Sequence, residues 1–155
     1  MSESDTRKEG GTGHEVVPEN ALFVCFGAMS SSGTLTGIAV LEAMKRLDPK
    51  KTGIFCSSAL AVDVPKHRKT TQAAKRIIAI DGCANRCTSK IIEQAGFKVD
   101  RALNLVKDLS VEKRGPFRPF DYTEEELQKT VEAIINICEG LSTGDNPGDE
   151  ASSKT

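Results

Sequence analysis

The stretch Arg76-Ile-Ile-Ala-Ile-Asp-Gly82 decides the fold class of this 155-residue chain. Its uninterrupted apolar run is bounded by a charged residue and by an Asp-Gly pair, which is typical of a strand buried on both faces. Residues 84–95 follow as a predicted helix, and Gly96 is a suitable residue to end it. A buried strand that leads directly into a helix indicates a parallel sheet with helices on its faces.

The same alternation extends in both directions from this stretch. Other apolar runs predict strands, and helical spacing of apolar residues predicts helices. We predict strands at residues 21–27, 52–57, 76–82 and within 97–106, and helices at 35–47, within 62–76, at 84–95 and at 123–140. The expected fold is α/β, a three-layer sandwich with a mainly parallel, four-stranded, Rossmann-like sheet.

Local signals support two of the helices. Leu35, Ile38, Leu41 and Met44 are expected on one face of the first helix. The segment Thr123-Glu-Glu-Glu126 predicts a capping box at the start of the last helix. Both helices should therefore pack an apolar side against the sheet.

Both ends of the chain are polar. Residues 1–20 and 142–155 contain too few large apolar side chains to offset the entropy lost on ordering, so both are expected to be disordered tails. The stretch 21–141 remains as one domain, which is long enough for a proper hydrophobic core.

The bulk composition excludes several classes of function. A net charge of −1 gives no basic excess for nucleic acid, and a single Tyr and no Trp leave few stacking side chains. No apolar run is long enough to cross a membrane, and polar residues stand where a signal peptide would be apolar. We therefore expect a cytoplasmic protein without a nucleic-acid or membrane partner.

Four of the five cysteines fall at one edge of the predicted sheet. Cys25 and Cys56 lie at the carboxyl ends of the first two strands, while Cys83 follows the third strand and Cys87 comes four residues later. That spacing would put Cys83 and Cys87 on one face of a helix. In parallel sheets, binding sites form at this edge. Cys138 is predicted to pack in the core through the last helix.

Thiols gathered in a reducing compartment favour a metal over disulfides. Zinc accepts four thiolate ligands at ~2.3 Å, and an iron–sulfur cluster takes the same ligands. We therefore expect a metal site made by Cys25, Cys56, Cys83 and Cys87. Burial as small apolar side chains is the alternative for Cys25 and Cys56, which have apolar neighbours in their strands.

The residues around the central motif resemble those of DGC-domain proteins, a prokaryotic family named for its Asp-Gly-Cys motif. The likeness is carried by Ile77-Ile-Ala-Ile-Asp-Gly-Cys-Ala-Asn-Arg-Cys87, by Cys25-Phe-Gly-Ala-Met-Ser-Ser-Ser-Gly33 and by Ile91-Ile-Glu-Gln-Ala-Gly96. It covers about residues 21–136. The resemblance implies a cysteine-ligated zinc ion and no assigned reaction, and no general acid–base pair stands out in the sequence.

Residue by residue, the resemblance covers the central motif and Cys25, with one departure. Similar proteins often have C-x-x-C-S in the first loop, where this chain has Ala28. Either Cys56 completes the ligand set, or three thiolates leave an open position for water or substrate. Asp81 could orient a ligand as an outer hydrogen-bond partner or act as a proton acceptor, or it could form the turn with Gly82 supplying unusual backbone angles.

Two other interpretations remain open. Cys25, Ser30, Ser31, Ser32 and Gly33 resemble an anion-binding loop of phosphatases or of sugar-transport IIB subunits, in which a cysteine is the nucleophile. The phosphatase version needs an arginine where this chain has Ser31.

A thiol redox or sensor protein is the other interpretation, although the sequence has C-x-x-x-C instead of C-x-x-C. The basic loop at residues 113–118 could contact a partner of such a sensor, but it is more simply a solvated connection.

Overall fold

Strands and helices alternate along the chain in the computed structural model of the protein, which describes residues 16–140. The strands are β1 (Asn20–Val24), β2 (Thr52–Ile54), β3 (Arg76–Asp81) and β4 (Arg101–Asn104). The helices are α1 (Ser31–Met44), α2 (Ser57–Ala61), α3 (Pro65–Ala73), α4 (Cys87–Gln94), α5 (Leu105–Leu109) and α6 (Glu124–Glu139). Residues 1–15 and 142–155 of the predicted tails lie outside this range, whereas residues 16–20 lie inside it, and Asn20 belongs to β1.

All four strands are parallel and lie in the order β2-β1-β3-β4. The chain passes from β1 to β2 on one side and then returns to β3 on the other side, where Val24 pairs with Ile80. The order therefore reverses between β1 and β3. The predicted α/β fold with a parallel four-stranded sheet is confirmed, and this order is compatible with a Rossmann-like sheet.

Successive side chains in the central strands point to opposite faces, and each face has its own core. Leu22 and Ile78 pack with side chains of α1, α5 and α6, whereas Phe23 and Ala79 pack with side chains of α2 and α4. Helices thus cover the sheet on both sides, and the three-layer sandwich is confirmed. Cys138 is buried in the first of these cores, as predicted.

The ends of several elements confirm the local signals. Thr123 and Glu126 form the predicted capping box at the start of α6. Pro65 stands at the first position of α3, where its missing N–H costs no hydrogen bond. Gly96 follows α4 with a φ of +87°, a conformation that glycine adopts without strain.

The predicted apolar face of α1 is only partly right. The helix begins at Ser31, four residues earlier than expected, and its first turn is buried although it is polar. Leu41, which was expected to face the core, is 50% exposed. Steps of three residues fall short of a full helical turn, so four such positions drift around the helix instead of sharing a face.

Helix α4 begins at Cys87, whereas the sequence predicted its start at residue 84. Arg86 has left-handed backbone angles (φ 51°, ψ 41°) and provides no side-chain cap. Cys83 therefore lies in the turn before the helix, and the prediction that Cys83 and Cys87 share a helix face is wrong. The short helices α2 and α5 were not predicted, because five residues are too few to show a helical period.

Within residues 16–140, every helix is too short or too polar to traverse a lipid bilayer.

Candidate functional site

Two cysteines flank the point where the strand order reverses. Cys25 directly follows β1, and Cys83 lies two residues beyond the end of β3, the neighbouring strand. The backbone N–H of Cys25 donates to the carbonyl of Ile80 at 3.0 Å and holds the two strand ends together. Doubly wound sheets bind their ligands in the crevice at this position.

The thiol of Cys25 is half-buried at the end of β1. Burial raises the pKa of Cys25, while the backbone N–H groups of Gly27 and Gly82 lower it, and the charges of Asp81 and Cys87 raise it further. The net pKa lies above the usual range, so Cys25 keeps its proton at neutral pH. A bound cation would reverse this balance, because it favours the thiolate.

The turn that carries Cys83 packs closely on the start of α1. A Cβ atom on Gly82 would lie 2.9 Å from the carbonyl oxygen of Ser32 and 3.1 Å from the nitrogen of Gly33. Gly82 has no positive φ angle, so the prediction of unusual backbone angles there is wrong. Glycine is required because the two backbones approach each other too closely for a side chain.

Asp81 provides the cap that α4 lacks at Arg86. Its carboxylate is 2% exposed and accepts hydrogen bonds from the backbone N–H groups of Thr88 (2.9 Å) and Ser89 (3.3 Å) and from the hydroxyl of Ser89 (2.5 Å). These are the two amides that an N-cap side chain normally satisfies. Asp81 therefore fixes the first turn of α4, and with it the backbone of Cys87, to the end of β3.

Cys83 is half-buried and contacts a residue from a distant part of the chain. The Nζ of Lys113 lies 3.4 Å from the Sγ of Cys83. On the opposite side, the Nδ2 of Asn104 donates to the carbonyl of Cys83 at 2.8 Å. The thiol thus has a fixed backbone and a cationic neighbour, which the sequence did not predict.

The remaining two candidate ligands are exposed. Cys87 is the first residue of α4, and Cys56 is the N-cap of α2, where its Sγ accepts from the N–H of Ala59 at 3.4 Å. Cys56 is not turned into the core. It also lies close to the end of β1, because the hydroxyl of Ser57 donates to the carbonyl of Val24.

Within the part of the chain that the structure describes, no three His, Cys, Asp or Glu side chains are close enough together to hold a metal ion. The predicted cysteine cluster is thus not formed between residues 16 and 140, although all four thiols follow strands at one edge of the sheet. Thiolate sulfur is nevertheless a type of ligand that zinc binds. In the structure, Cys25 and Cys56 accept hydrogen bonds from backbone amides, and Cys83 contacts the ammonium group of Lys113.

In the serine-rich loop at residues 30–33, several of the N–H and O–H groups that a phosphate would need are hydrogen-bonded within the protein. The N–H of Ser31 donates to the carbonyl of Arg114 (2.8 Å), and the N–H of Gly33 donates to the hydroxyl of Ser30 (3.3 Å). The hydroxyls of Ser30 and Ser32 contact each other at 3.3 Å. Binding of a phosphate here stays a prediction that would require at least two of these hydrogen bonds to exchange.

Residues 112–117 cross this edge of the sheet, and we call them the strap. The N–H of Arg114 donates to the hydroxyl of Ser31 (2.8 Å), and the N–H of Phe117 donates to the carbonyl of Met29 (2.7 Å). The side chain of Arg114 is 22% exposed and bonds to Glu126 at 2.9 Å. The sequence interpretation of this basic loop as a solvated connection is therefore wrong for Arg114, because its guanidinium forms an ion pair with Glu126 of the same chain.

Glu126 was recognised in the sequence only as part of a capping box. In the structure its carboxylate also accepts the N–H of Glu112 (3.1 Å) and the guanidinium of Arg114. Burial raises the pKa of Glu126, but these hydrogen bonds and the charge of Arg114 outweigh burial, and the net pKa is lowered. The sequence has no local signal for the contact between Arg114 and Glu126, because the two residues are 12 positions apart.

Comparison with known proteins supports the likeness seen in the sequence. A family model described as DGC domain matches residues 21–134, which is most of the chain. No curated protein and no solved structure matches this chain.

Proposed function

Because this chain belongs to the DGC-domain family, we propose that it binds one metal ion, zinc, through cysteine thiolates at the carboxyl edge of the sheet. Cys25, Cys83 and Cys87 would provide three ligands, and Cys56 the fourth. An iron–sulfur cluster on the same cysteines is the alternative cofactor.

The observation that carries this proposal is the proximity of Cys25 to the Asp-Gly-Cys motif at the neighbouring strand end. The backbone N–H of Gly82 hydrogen-bonds to the thiol of Cys25, and the N–H of Cys25 donates to the carbonyl of Ile80 at 3.0 Å. A cation bound here would favour the thiolate form of Cys25, whose pKa burial raises. Cys25 and Cys83 also flank the crevice where a doubly wound sheet binds ligands.

Metal binding would require candidate ligands to move together, because no three of them lie close enough to hold an ion among residues 16–140. Cys56 and Cys87 are exposed, so their side chains can turn without losing packing in the core. Cys25 and Cys83 are half-buried at strand ends whose backbones are hydrogen-bonded in place. The central pair would therefore stay fixed while the outer pair closes over the ion.

Asp81 and Gly82 would position two of the proposed ligands. Asp81 holds the backbone of Cys87, and Gly82 allows the turn with Cys83 to lie on α1 beside Cys25. Bound zinc would supply Lewis acidity if one coordination position stayed open, and a purely structural crosslink if four thiolates filled it.

The direct test is the metal content of protein purified under anaerobic conditions without added metal. We expect about one zinc per chain, and a visible absorption band would instead identify an iron–sulfur cluster. Cys83→Ser and Cys87→Ser should each abolish stoichiometric binding, and Cys138→Ser, which changes a core thiol, should retain it. Protein with five freely titrating thiols and no affinity for zinc would contradict the proposal.

A further inference from the structure

A cavity of about 560 Å³ lies between helices α2 and α4, on the face of the sheet that these two helices cover. Leu60, Ala61 and Ile91 form part of its apolar wall. A second cavity of about 290 Å³ lies beside it, and Arg68 and Gly96 line both. The larger cavity has the size of small-molecule sites, which measure about 300–1,000 Å³.

Arg68 is the charged residue that the two cavities share, and three contacts hold its side chain. Its Nη1 donates to the carbonyl of Ala95 at 2.7 Å and lies 3.3 Å from a carboxylate oxygen of Asp63. The central carbon of its guanidinium lies 5.1 Å from the ring centre of Phe97. The guanidinium is therefore held against the end of α4, and little further side-chain entropy is lost when it binds another acceptor.

These contacts leave two of the three guanidinium nitrogens available. Among residues 16–140, the side chain of Arg68 donates hydrogen bonds through Nη1 alone. Its Nη2 lies 3.7 Å from the position that a Cβ atom on Gly96 would take, so it faces the wall common to both cavities. The N–H groups of Nε and Nη2 are a parallel pair of donors, which a carboxylate accepts with both oxygens.

The charges around Arg68 favour an anion over a cation. Helix α3 carries Lys66, His67 and Lys69 besides Arg68, and it contains no acidic residue. Lys66 and Lys69 are exposed and form no ion pair within the described part of the chain. The carboxylate that lines the larger cavity is Asp63, whose side chain is 75% exposed. It offsets one of these positive charges and leaves the region cationic.

We propose that the cavity between α2 and α4 binds a small organic anion. Its apolar body would pack against Leu60 and Ile91, and its carboxylate or sulfonate group would accept hydrogen bonds from Nε and Nη2 of Arg68. An apolar wall with one charged residue that fixes orientation is typical of small-molecule sites. The end of α4 that carries Arg68 is opposite the end that carries Cys87, so this site does not depend on the proposed metal site.

The test is a fluorescence titration of the full-length protein with two dyes of the same ring system, anilinonaphthalene sulfonate, which is an anion, and phenylnaphthylamine, which is neutral. We expect Arg68→Met to weaken binding of the anionic dye about fivefold, the effect of one unit charge at about 4 Å in water. Binding of the neutral dye should not weaken. Arg118→Met is the matched control, because Arg118 also pairs with an aspartate and lies in the segment with the exposed side chains of Phe117 and Phe120. It should leave the affinities for both dyes unchanged.

A second variant fills the cavity without touching the charge. Ala61 is exposed at the end of α2 and lines the larger cavity, so Ala61→Phe should not disturb the core. We expect it to weaken both dyes at least about tenfold, because their apolar rings lose contact area. Ala73→Phe is its control, since Ala73 is exposed at the end of α3 and lines neither cavity. Circular dichroism checks that each variant is folded.

Unchanged affinity for the anionic dye in Arg68→Met or in Ala61→Phe would overturn the proposal. An equal loss for both dyes in Arg68→Met would also overturn it, because the arginine would then only support the shape of the cavity. So would a loss in Arg118→Met as large as in Arg68→Met, which would place the dye on the exposed phenylalanines. If Arg68→Met does not fold, Ala61→Phe and Ala73→Phe decide. None of these results depends on metal, so the proposed function can fail or hold independently.

Discussion

The hydroxyl of Ser89 donates a 2.5 Å hydrogen bond to the carboxylate of Asp81, which joins the first turn of α4 to the end of β3. Two backbone amides of the same turn donate to this carboxylate. The left-handed Arg86 cannot cap the helix, so Asp81 satisfies donors that would otherwise be buried without partners. The acidic residue of the Asp-Gly-Cys motif thus has a structural role in this protein that is independent of any metal.

Asp81→Asn should destabilise the protein by about 1–3 kcal/mol, because charge-assisted hydrogen bonds are replaced by weaker ones around a buried amide. The amide has one acceptor oxygen, and its NH2 group would face the N–H groups of α4. Urea unfolding followed by circular dichroism measures the loss.

Asp100→Asn is the matched control for that variant. Asp100 also accepts a backbone N–H of β3, from Ile77 at 2.8 Å, but it is exposed and lies at the opposite edge of the sheet. We expect a smaller loss, under about 1 kcal/mol. Equal losses of stability in the two variants would contradict a larger contribution from the Asp81 cap of α4.

The role of Cys56 separates a closed metal site from an open one. If Cys56 is a ligand, Cys56→Ala should weaken zinc binding about as strongly as Cys83→Ala, because either change removes one thiolate from a tetrahedral site. We expect this result, since Cys56 is exposed beside the end of β1 and free of the core. Competition with a chromophoric chelator measures the affinities.

Cobalt-substituted protein gives an independent reading of the same question. A fourth thiolate would add to the thiolate-to-cobalt charge-transfer intensity, and that contribution should disappear in Cys56→Ala. Unchanged affinity and intensity in Cys56→Ala, with a spectrum that responds to added thiol, would indicate an open position and contradict Cys56 as a ligand.

The buried thiol of Cys138 should make stability fall in alkaline solution. Burial raises the pKa of Cys138 to about 11 from the usual 9.0. As the pH rises past 9.0, the unfolded chain loses this proton first, so ionisation favours unfolding. The contribution is complete below the unfolded pKa and is lost by the time the pH reaches the folded pKa, at a cost on the order of 2–3 kcal/mol.

Cys138→Ala removes this titration and is the comparison that isolates it. The variant is less stable at neutral pH because the core loses a packed side chain, but its stability should decline less steeply across the alkaline range. Urea unfolding of both proteins below, within and above this pH window gives the two slopes. Parallel slopes would mean that Cys138 does not ionise differently in the two states.

Glu126→Gln should loosen the strap without unfolding α6. Glutamine also completes a capping box, so the contacts with Thr123 can persist while the ion pair with Arg114 is lost. We expect a loss of about 1–2 kcal/mol and faster hydrogen exchange at the strap amides.

Glu125→Gln is the control, since it removes the same charge from the same helical turn and makes no ion pair in the range 16–140. As the pH is lowered, the strap of the unmodified protein should loosen before the rest of the fold. The lowered pKa of Glu126 contributes stability above the unfolded value of 4.5, and this is lost as the pH falls through the folded pKa. Strap amides that exchange equally in both variants would contradict the anchor.

Much of the fold follows from local patterns in the sequence. The apolar run of β3 is long enough to be a strand and too short to be a helix, and a strand–helix alternation allows almost only parallel, right-handed connections. The same reasoning placed Cys25 and Cys83 at one edge. The start of α1 was missed because its first turn is buried through polar residues, which have no apolar period to detect.

The sequence by itself thus determined the parallel sheet, its two helical layers and the edge at which the thiols of Cys25 and Cys83 lie, because strand length, side-chain alternation and crossover handedness are local or general properties. Only the tertiary structure decided which residues contact the side chains of Cys83 and Asp81. Lys113 meets Cys83 across 30 positions of sequence, and Asp81 caps a helix whose start depends on Arg86 turning left-handed. No sequence period encodes such contacts, since they arise when segments distant along the chain pack against each other.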